Sequence, residues 1–188
     1  MEDRHAMAIV ASRTAVADGS SHSARVVNGC GYAVPAACLY ATPGGVAPYR
    51  HRVLYGDTDQ MGVVYYATYL RFFEGARGDW IRELGLTYAQ IEERGIYLPV
   101  LEVGVRYLKP ARYDDLLEIP LRVSHTRVKV RFEYKVYRAP SPDVLILGHT
   151  VHACINEDGR PTRAPDWLLA AMKGAASSGP TLPEGYEP

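Results

Sequence analysis

Apolar and polar positions change their period along this chain, and each change marks an element. Pro48 to Tyr55 alternates over a short stretch, which predicts a half-buried strand. From Tyr65 the period turns helical: Tyr66, Tyr69, Leu70, Phe73, Ala76, Trp80, Ile81 and Leu84 recur at i, i+3, i+4 and i+7 spacing. One apolar stripe therefore runs down a helix of about 20 residues, roughly 30 Å long. Arg71, Glu74, Asp79, Arg82 and Glu83 fall on its other face, and Gly85 is placed to cap its C-terminus. Gly75 and Gly78 cost stability inside a helix, so they predict close backbone packing, against a sheet. A second short helical piece spans Tyr88 to Arg94.

Beyond it the period is two. Leu101, Val103, Val105 and Tyr107 share one face of a strand that ends at Lys109-Pro110. Leu117, Ile119, Leu121 and Val123 form the next strand. Val128, Val130, Phe132, Tyr134 and Val136 form a third, with Lys129, Arg131, Glu133 and Lys135 opposite. Leu145 to Ile155 forms a fourth, ended by Asn156-Glu157-Asp158-Gly159, and a last helix, Pro165 to Met172, begins with Pro in its first turn. Strand, long helix and four further strands make an α+β architecture, with the helix on one face of a five-stranded antiparallel sheet. One helix cannot cover both faces of such a sheet, and pairing with a second copy is the simplest remedy.

The flanks lack this patterning. Residues 1–47 are rich in Ala, Ser, Gly and Val, with Gly19-Ser20-Ser21-His22 and Thr42-Pro43-Gly44-Gly45, and read as a disordered extension, from a misplaced start site or with Cys30 to Ala41 docked as an apolar strap. Residues 174–188 read as a flexible tail, which leaves 48–173 as the folded domain. The chain of 188 residues is expected to hold one domain, and its formal net charge of zero argues against a long-range field that would gather nucleic acid or an anionic membrane. Its three cysteines, Cys30, Cys38 and Cys154, have no metal-ligand spacing and fit a reducing compartment. Ala6 to Ala11 is a poor secretory signal and no apolar run is long enough to span a bilayer, so the expected location is cytoplasmic.

The least ordinary local sequence is Leu54 to Tyr66, centred on Gly56-Asp57-Thr58-Asp59-Gln60-Met61-Gly62. It joins a strand to the long helix and sets two acids beside two glycines. A helix N-terminus presents unpaired N–H groups and partial positive charge, which polarise an acyl carbonyl and stabilise an oxyanion forming on it. A carboxylate nearby can act as nucleophile or as general base to water, and at neutral pH it is ionised without special tuning. Thioesters suit such a site, because their carbonyls are weakly resonance-stabilised and thiolates leave readily. Spacing alone leaves the plainer alternative open, that Asp57 and Asp59 only cap the helix.

Other groups offer less. His5 and His22 lie in the extension, while His51 and His125 read as exposed strand residues. His149 and His152 are an odd number apart on one strand, so they face opposite sides and cannot form a metal pair through it; each reads as a structural histidine. Arg127, Lys129 and Arg131, two apart, share one face of an unbroken strand, with Lys109 and Arg112 on an earlier turn. By composition they are a solvated sheet face. The aromatic stripe of the helix is core by default, with its first turn free to line a pocket.

The run Tyr55-Gly56-Asp57-Thr58-Asp59-Gln60-Met61-Gly62-Val63-Val64-Tyr65-Tyr66-Ala67-Thr68-Tyr69-Leu70, continuing through Phe73-Glu74 to Ala76-Arg77, resembles the signature of hotdog-fold acyl-CoA thioesterases. The 4-hydroxybenzoyl-CoA thioesterase class and its Tol-Pal-associated relatives look nearest. Val105 to Asp115, centred on Lys109-Pro110-Ala111, and the turn Asp158-Gly159-Arg160-Pro161 match as well, so the resemblance covers about residues 48–173. It implies a hotdog fold, a long central helix wrapped by the antiparallel sheet, assembled as a homodimer or homotetramer. It implies that Asp59 is catalytic, that Asp57 is a turn former, and that the Tyr66 backbone N–H polarises the thioester carbonyl. Gly62, Val63, Val64 and Tyr65 would line the substrate, and Lys109, Arg127 and Lys129 would meet the phosphates of coenzyme A. Neither cofactor nor metal is implied. Two departures matter: many Tol-Pal relatives carry His where Tyr66 stands, and Gln60-Met61 replaces small residues. The expected activity is hydrolysis of an acyl-CoA to free acid and coenzyme A. A carrier-protein thioesterase, a hydratase on the same fold and a non-catalytic acyl-binding protein are the competing expectations.

Overall fold

The structure, a computed structural model, describes residues 46–173. The expectations for the flanks lie outside the described residues, except that Val46 packs against the core. In chain order the elements are β1 (Tyr49–Arg52), α1 (Thr68–Glu83), α2 (Tyr88–Glu93), β2 (Val100–Tyr107), β3 (Leu116–Ile119), β4 (Leu121–His125), β5 (Lys129–Arg138), β6 (Val144–Ala153) and α3 (Asp166–Lys173). The sheet is antiparallel throughout, in the order β1-β3-β5-β6-β2, with β4 also paired to β5.

Six strands stand where five were expected, and Pro120 is the reason. Glu118 pairs with Tyr137 and Leu121 with Tyr134, so β3 and β4 keep one register against β5. Pro120 has no N–H to give the ladder and splits a single strand in two. The expected Val128 lies outside β5, exposed in the hairpin before it.

α1 lies across one face of this sheet. Phe73 stacks on Tyr134 with ring centroids 4.3 Å apart, and Trp80 meets the edge of Phe132 at 5.9 Å. Gly148 leaves room for the Phe73 ring, where any Cβ would collide. Gly75 has the role expected of it, since a Cβ there would stand 2.8 Å from the Tyr49 ring of β1. Gly78 does not: its nearest neighbour is the side chain of Arg82, in its own helix.

The helix is shorter than its apolar period suggests, 16 residues beginning at Thr68. Tyr65 and Tyr66 belong to a turn, closed where the Thr68 N–H donates to the Tyr65 carbonyl at 2.9 Å. The stripe shifts accordingly. Tyr66 and Leu70 are exposed, while Phe72, unassigned from the sequence, is buried. At the far end Gly85 has φ +78°, with Gly85 N–H to Arg82 O and Leu86 N–H to Ile81 O, a left-handed cap that accounts for the glycine.

Candidate active site

The two acids of the loop have different fates. Asp57 is 4% exposed. Its Oδ2 accepts from the Leu54 N–H at 2.9 Å and from His51 Nε2 at 2.8 Å. His51, expected on the surface, is half-buried and packs on Phe72 with ring centroids 4.2 Å apart. Sequence pattern does not show this, because the chain turns back after β1 and returns Asp57 to the strand that carries His51, six positions earlier, a contact with no period. The pair also bears on the hydratase expectation, because such chemistry needs an acid and a histidine working together. An acid and a histidine do meet here, but beneath Phe72 and committed to holding the loop.

Asp59 is left half-buried. Its Oδ1 accepts the Met61 N–H at 2.8 Å, while its backbone N–H donates to Val63 O and its carbonyl accepts from Gly62 N–H, both at 2.9 Å. Asp59 to Val63 is thus a tight reversal, and Gly62, at φ +71°, occupies the left-handed position that glycine adopts without strain. Asp59 Oδ2 takes no hydrogen bond among the described residues. Asp59 does not sit at the first turn of the helix: the reversal and the Tyr65-Tyr66 turn stand between them.

That turn is held from several sides. Val64 N–H donates to Ala111 O at 2.8 Å and Tyr65 N–H to Asp57 O at 2.9 Å. Ala67, at the N-cap, supplies no side-chain cap. The N–H groups of Tyr66 and Ala67 donate to no backbone carbonyl among the described residues, so orphan donors stand at the head of α1 as expected of a helix start. The Tyr65 and Tyr66 rings lie 4.5 Å apart, and their hydrogen bond, with the nearby Asp59 charge as a lesser cause, holds the Tyr65 phenol above its ordinary range.

The basic residues divide. Arg112, on the run that accepts Val64, brings its guanidinium to 3.9 Å from where a Gly62 Cβ would be, and makes no ion pair among the described residues. Lys109 is paired with Asp143 at 2.8 Å. Arg127 lies in the hairpin rather than on β5, so it does not continue the face of Lys129 and Arg131, and Arg131 is tied to Glu133 at 3.1 Å. Tyr107, beside the turn, is level with Ile146 and Val136 in the sheet, and Lys129 to Val136 is roughly 23 Å of strand. Within one chain, Arg127 and Lys129 are at the opposite end of the sheet from Asp59. His149 bonds Glu102, and His152 bonds Leu98 O and Thr150, so each is satisfied structurally as expected. Among the described residues no cluster of His, Cys, Asp and Glu could hold a metal ion, and no helix is long and apolar enough to cross a membrane.

Tyr107 is the neighbour that sequence reasoning missed. Its hydroxyl donates to the Tyr66 carbonyl at 3.0 Å, and its ring meets Tyr69 at 5.8 Å. The period-two pattern assigned it to an apolar strand face; its hydroxyl, idle in a core, was the available signal. Leu101 and Val103 on the same strand are also exposed, because β2 is an edge that α1 leaves bare.

Known proteins resemble this chain in sequence and fold. The thioesterase-like superfamily matches residues 53–172. The acyl-CoA thioester hydrolase YbgC of Escherichia coli O6:H1 is 38% identical over 124 residues, 65% of this chain and 92% of that protein. The 1,4-dihydroxy-2-naphthoyl-CoA hydrolase of Thermosynechococcus vestitus is 31% identical over 143 residues, 71% of this chain and 96% of its own length. Among solved structures, the DHNA-CoA thioesterase from Staphylococcus aureus superposes with a TM-score of 0.62 at 32% identity, over 68% of this chain and 89% of that one. With that match and a helix-on-sheet architecture to carry it, the chain belongs to the thioesterase-like superfamily and has the hotdog fold of its thioester hydrolases.

Proposed function

We propose that this protein hydrolyses an acyl-CoA thioester to the free carboxylic acid and coenzyme A, with Asp59 as the working carboxylate. The observation that carries the reading is the division of labour in the loop. Asp57 is buried and consumed by His51 and the Leu54 N–H, whereas among the described residues Asp59 Oδ2 takes no hydrogen bond and the Tyr66 and Ala67 N–H groups at the head of α1 meet no backbone carbonyl. A thioester carbonyl accepting from the Tyr66 N–H is polarised there. Asp59, as nucleophile or as base to a water, completes the attack, and the oxyanion is met by the same N–H before the thiolate leaves. Gly62, Val63 and Tyr65 form the wall along which the acyl group lies, while Val64, expected beside them, is buried in the core and backs that wall. The nearness to the 4-hydroxybenzoyl-CoA class belongs to this proposal, as does a cytoplasmic location, where coenzyme A esters are made and used.

The working unit is a homodimer, or a tetramer built from it. β2 is an edge strand with Val100, Leu101, Val103 and Tyr107 exposed, and two copies paired antiparallel along it would cover them. Such pairing brings the Val100 end of one copy beside the Tyr107 end of the other. Val100 is level with Val130, so the end of the sheet carrying Arg127 and Lys129 arrives with it. Those two cations then meet the phosphates of coenzyme A across the interface, with Arg112 and Lys109 nearer the loop.

The test is thiol release from a panel of short, long and aromatic acyl-CoA esters, beside the same acyl groups on an acyl carrier protein. Turnover of at least one coenzyme A ester is the expected result. Turnover of carrier-bound esters alone, or binding of acyl-CoA without turnover, would contradict the reading.

A further inference from the structure

The Tyr66 N–H is carried by the peptide that joins Tyr65 to Tyr66. That peptide's carbonyl accepts the Thr68 N–H at 2.9 Å, so its own plane is fixed by the main chain. The next peptide, from Tyr66 to Ala67, lacks this support. In a regular helix the Tyr66 carbonyl would accept from the Leu70 N–H four residues on, but the Leu70 N–H donates to Ala67 O at 3.1 Å. The acceptor left over is satisfied from another element altogether: Tyr107 of the edge strand donates its phenol O–H to it at 3.0 Å. The ring that delivers this bond is braced edge-on against Tyr69, which is buried in the first turn of α1. Partial desolvation of its otherwise half-exposed side chain, with Tyr66 as a lesser cause, raises the Tyr107 phenol above its ordinary range.

We propose that Tyr107 is a positioning residue: its hydroxyl locks the Tyr66–Ala67 peptide, and so holds the Ala67 N–H, the second unbonded donor at the head of α1, set beside the Tyr66 N–H for the oxyanion before substrate arrives. The inference rests on the reading of the Tyr66 N–H as the oxyanion donor. Preorganisation matters because a donor that must reorient during reaction stabilises the developing charge less than one already in place. Tyr107 touches no reacting atom in this account, so its loss slows the chemical step and leaves substrate binding nearly alone. It also ties the site to the exposed β2 edge, one residue sensing both.

Tyr107→Phe removes the hydroxyl and keeps the ring. A net hydrogen bond of ordinary strength corresponds to a fall in kcat of about 3- to 15-fold, with KM within about twofold of wild type. The assay is run on the full chain at two temperatures, one well below the melting point of each variant. A deficit due only to a loosened fold would vanish at the lower temperature, whereas a misplaced donor keeps it at both. Asp59→Asn is measured alongside. If Asp59→Asn is nearly inactive while Tyr107→Phe has wild-type kcat, or changes KM alone, the positioning role is overturned and the reading of the site stands. If Asp59→Asn retains wild-type turnover, the reading fails and the positioning role falls with it.

Discussion

Two aspartates two positions apart have the same side chain and the same capping tendency, and their surroundings separate them. Asp57 is enclosed with a histidine and a backbone N–H, while among the described residues the Asp59 carboxylate bonds only the turn it starts. Spacing along the chain could not make that distinction, because it depends on which acid folds back to β1. The family resemblance implies a role for Asp59, and the His51 contact adds only that Asp57 is the acid engaged in holding the loop. His152 gives a second case, with a pH consequence. It is 1% exposed, and because the Leu98 carbonyl can only accept, Nδ1 carries the proton, leaving Nε2 to accept from Thr150. Burial, with the nearby Arg77 charge adding to it, lowers its pKa below the ordinary value of about 6.5. Above that value folded and unfolded chains both hold the ring neutral. Below it the unfolded chain takes up a proton that the folded chain refuses, so stability falls as the medium is acidified. Thermal melts at pH 7.5 and 5.5 should therefore drop further for wild type than for His152→Gln; equal drops would contradict the assignment.

At the scale of elements, period was a good guide to existence and a poor one to ends. Every strand and helix predicted between Pro48 and Met172 is present, because the alternation of Val130, Phe132, Tyr134 and Val136 and the spacing of Tyr69, Phe73, Ala76 and Trp80 reflect a core that must be filled. The start of α1 was misjudged by three residues, since Tyr65 and Tyr66 are apolar for a reason other than packing under the helix. Pro120 in the middle of a strand is itself a legible break, since proline gives the ladder no N–H. The C-terminus of α1 was legible as well, because a glycine after the last apolar position is needed where the backbone turns left-handed. No atom lies within 4 Å of a Cβ built on Gly85, so Gly85→Ala meets only the backbone cost. That variant should lose about 1 kcal/mol in denaturant unfolding and keep wild-type thiol release. No loss would mean that the cap relaxes without strain.

For the molecule as a whole, the sheet has one end that carries the loop and another that carries the basic hairpin, and a single chain cannot bring them together. The sequence implied a second copy from the ratio of one helix to many strands. The structure adds which edge is bare, because Val103, 44% exposed, sits on β2. Sedimentation should give a dimer or a multiple of it for wild type. Val103→Arg, which buries an unpaired charge in that contact, should shift the protein to monomer and lower turnover at least tenfold, given an expected cost of several kcal/mol. A monomeric wild type with full activity would remove the composite site. The central claim is narrower than the assembly and can be tested without it. Measure the rate of thiol release from a saturating, accepted acyl-CoA by wild type and by Asp59→Asn, with circular dichroism and melting point matched. The account predicts a loss of about 100-fold or more with the fold intact, in the range found when a donor to the oxyanion is removed. A variant that turns over at the wild-type rate would contradict it.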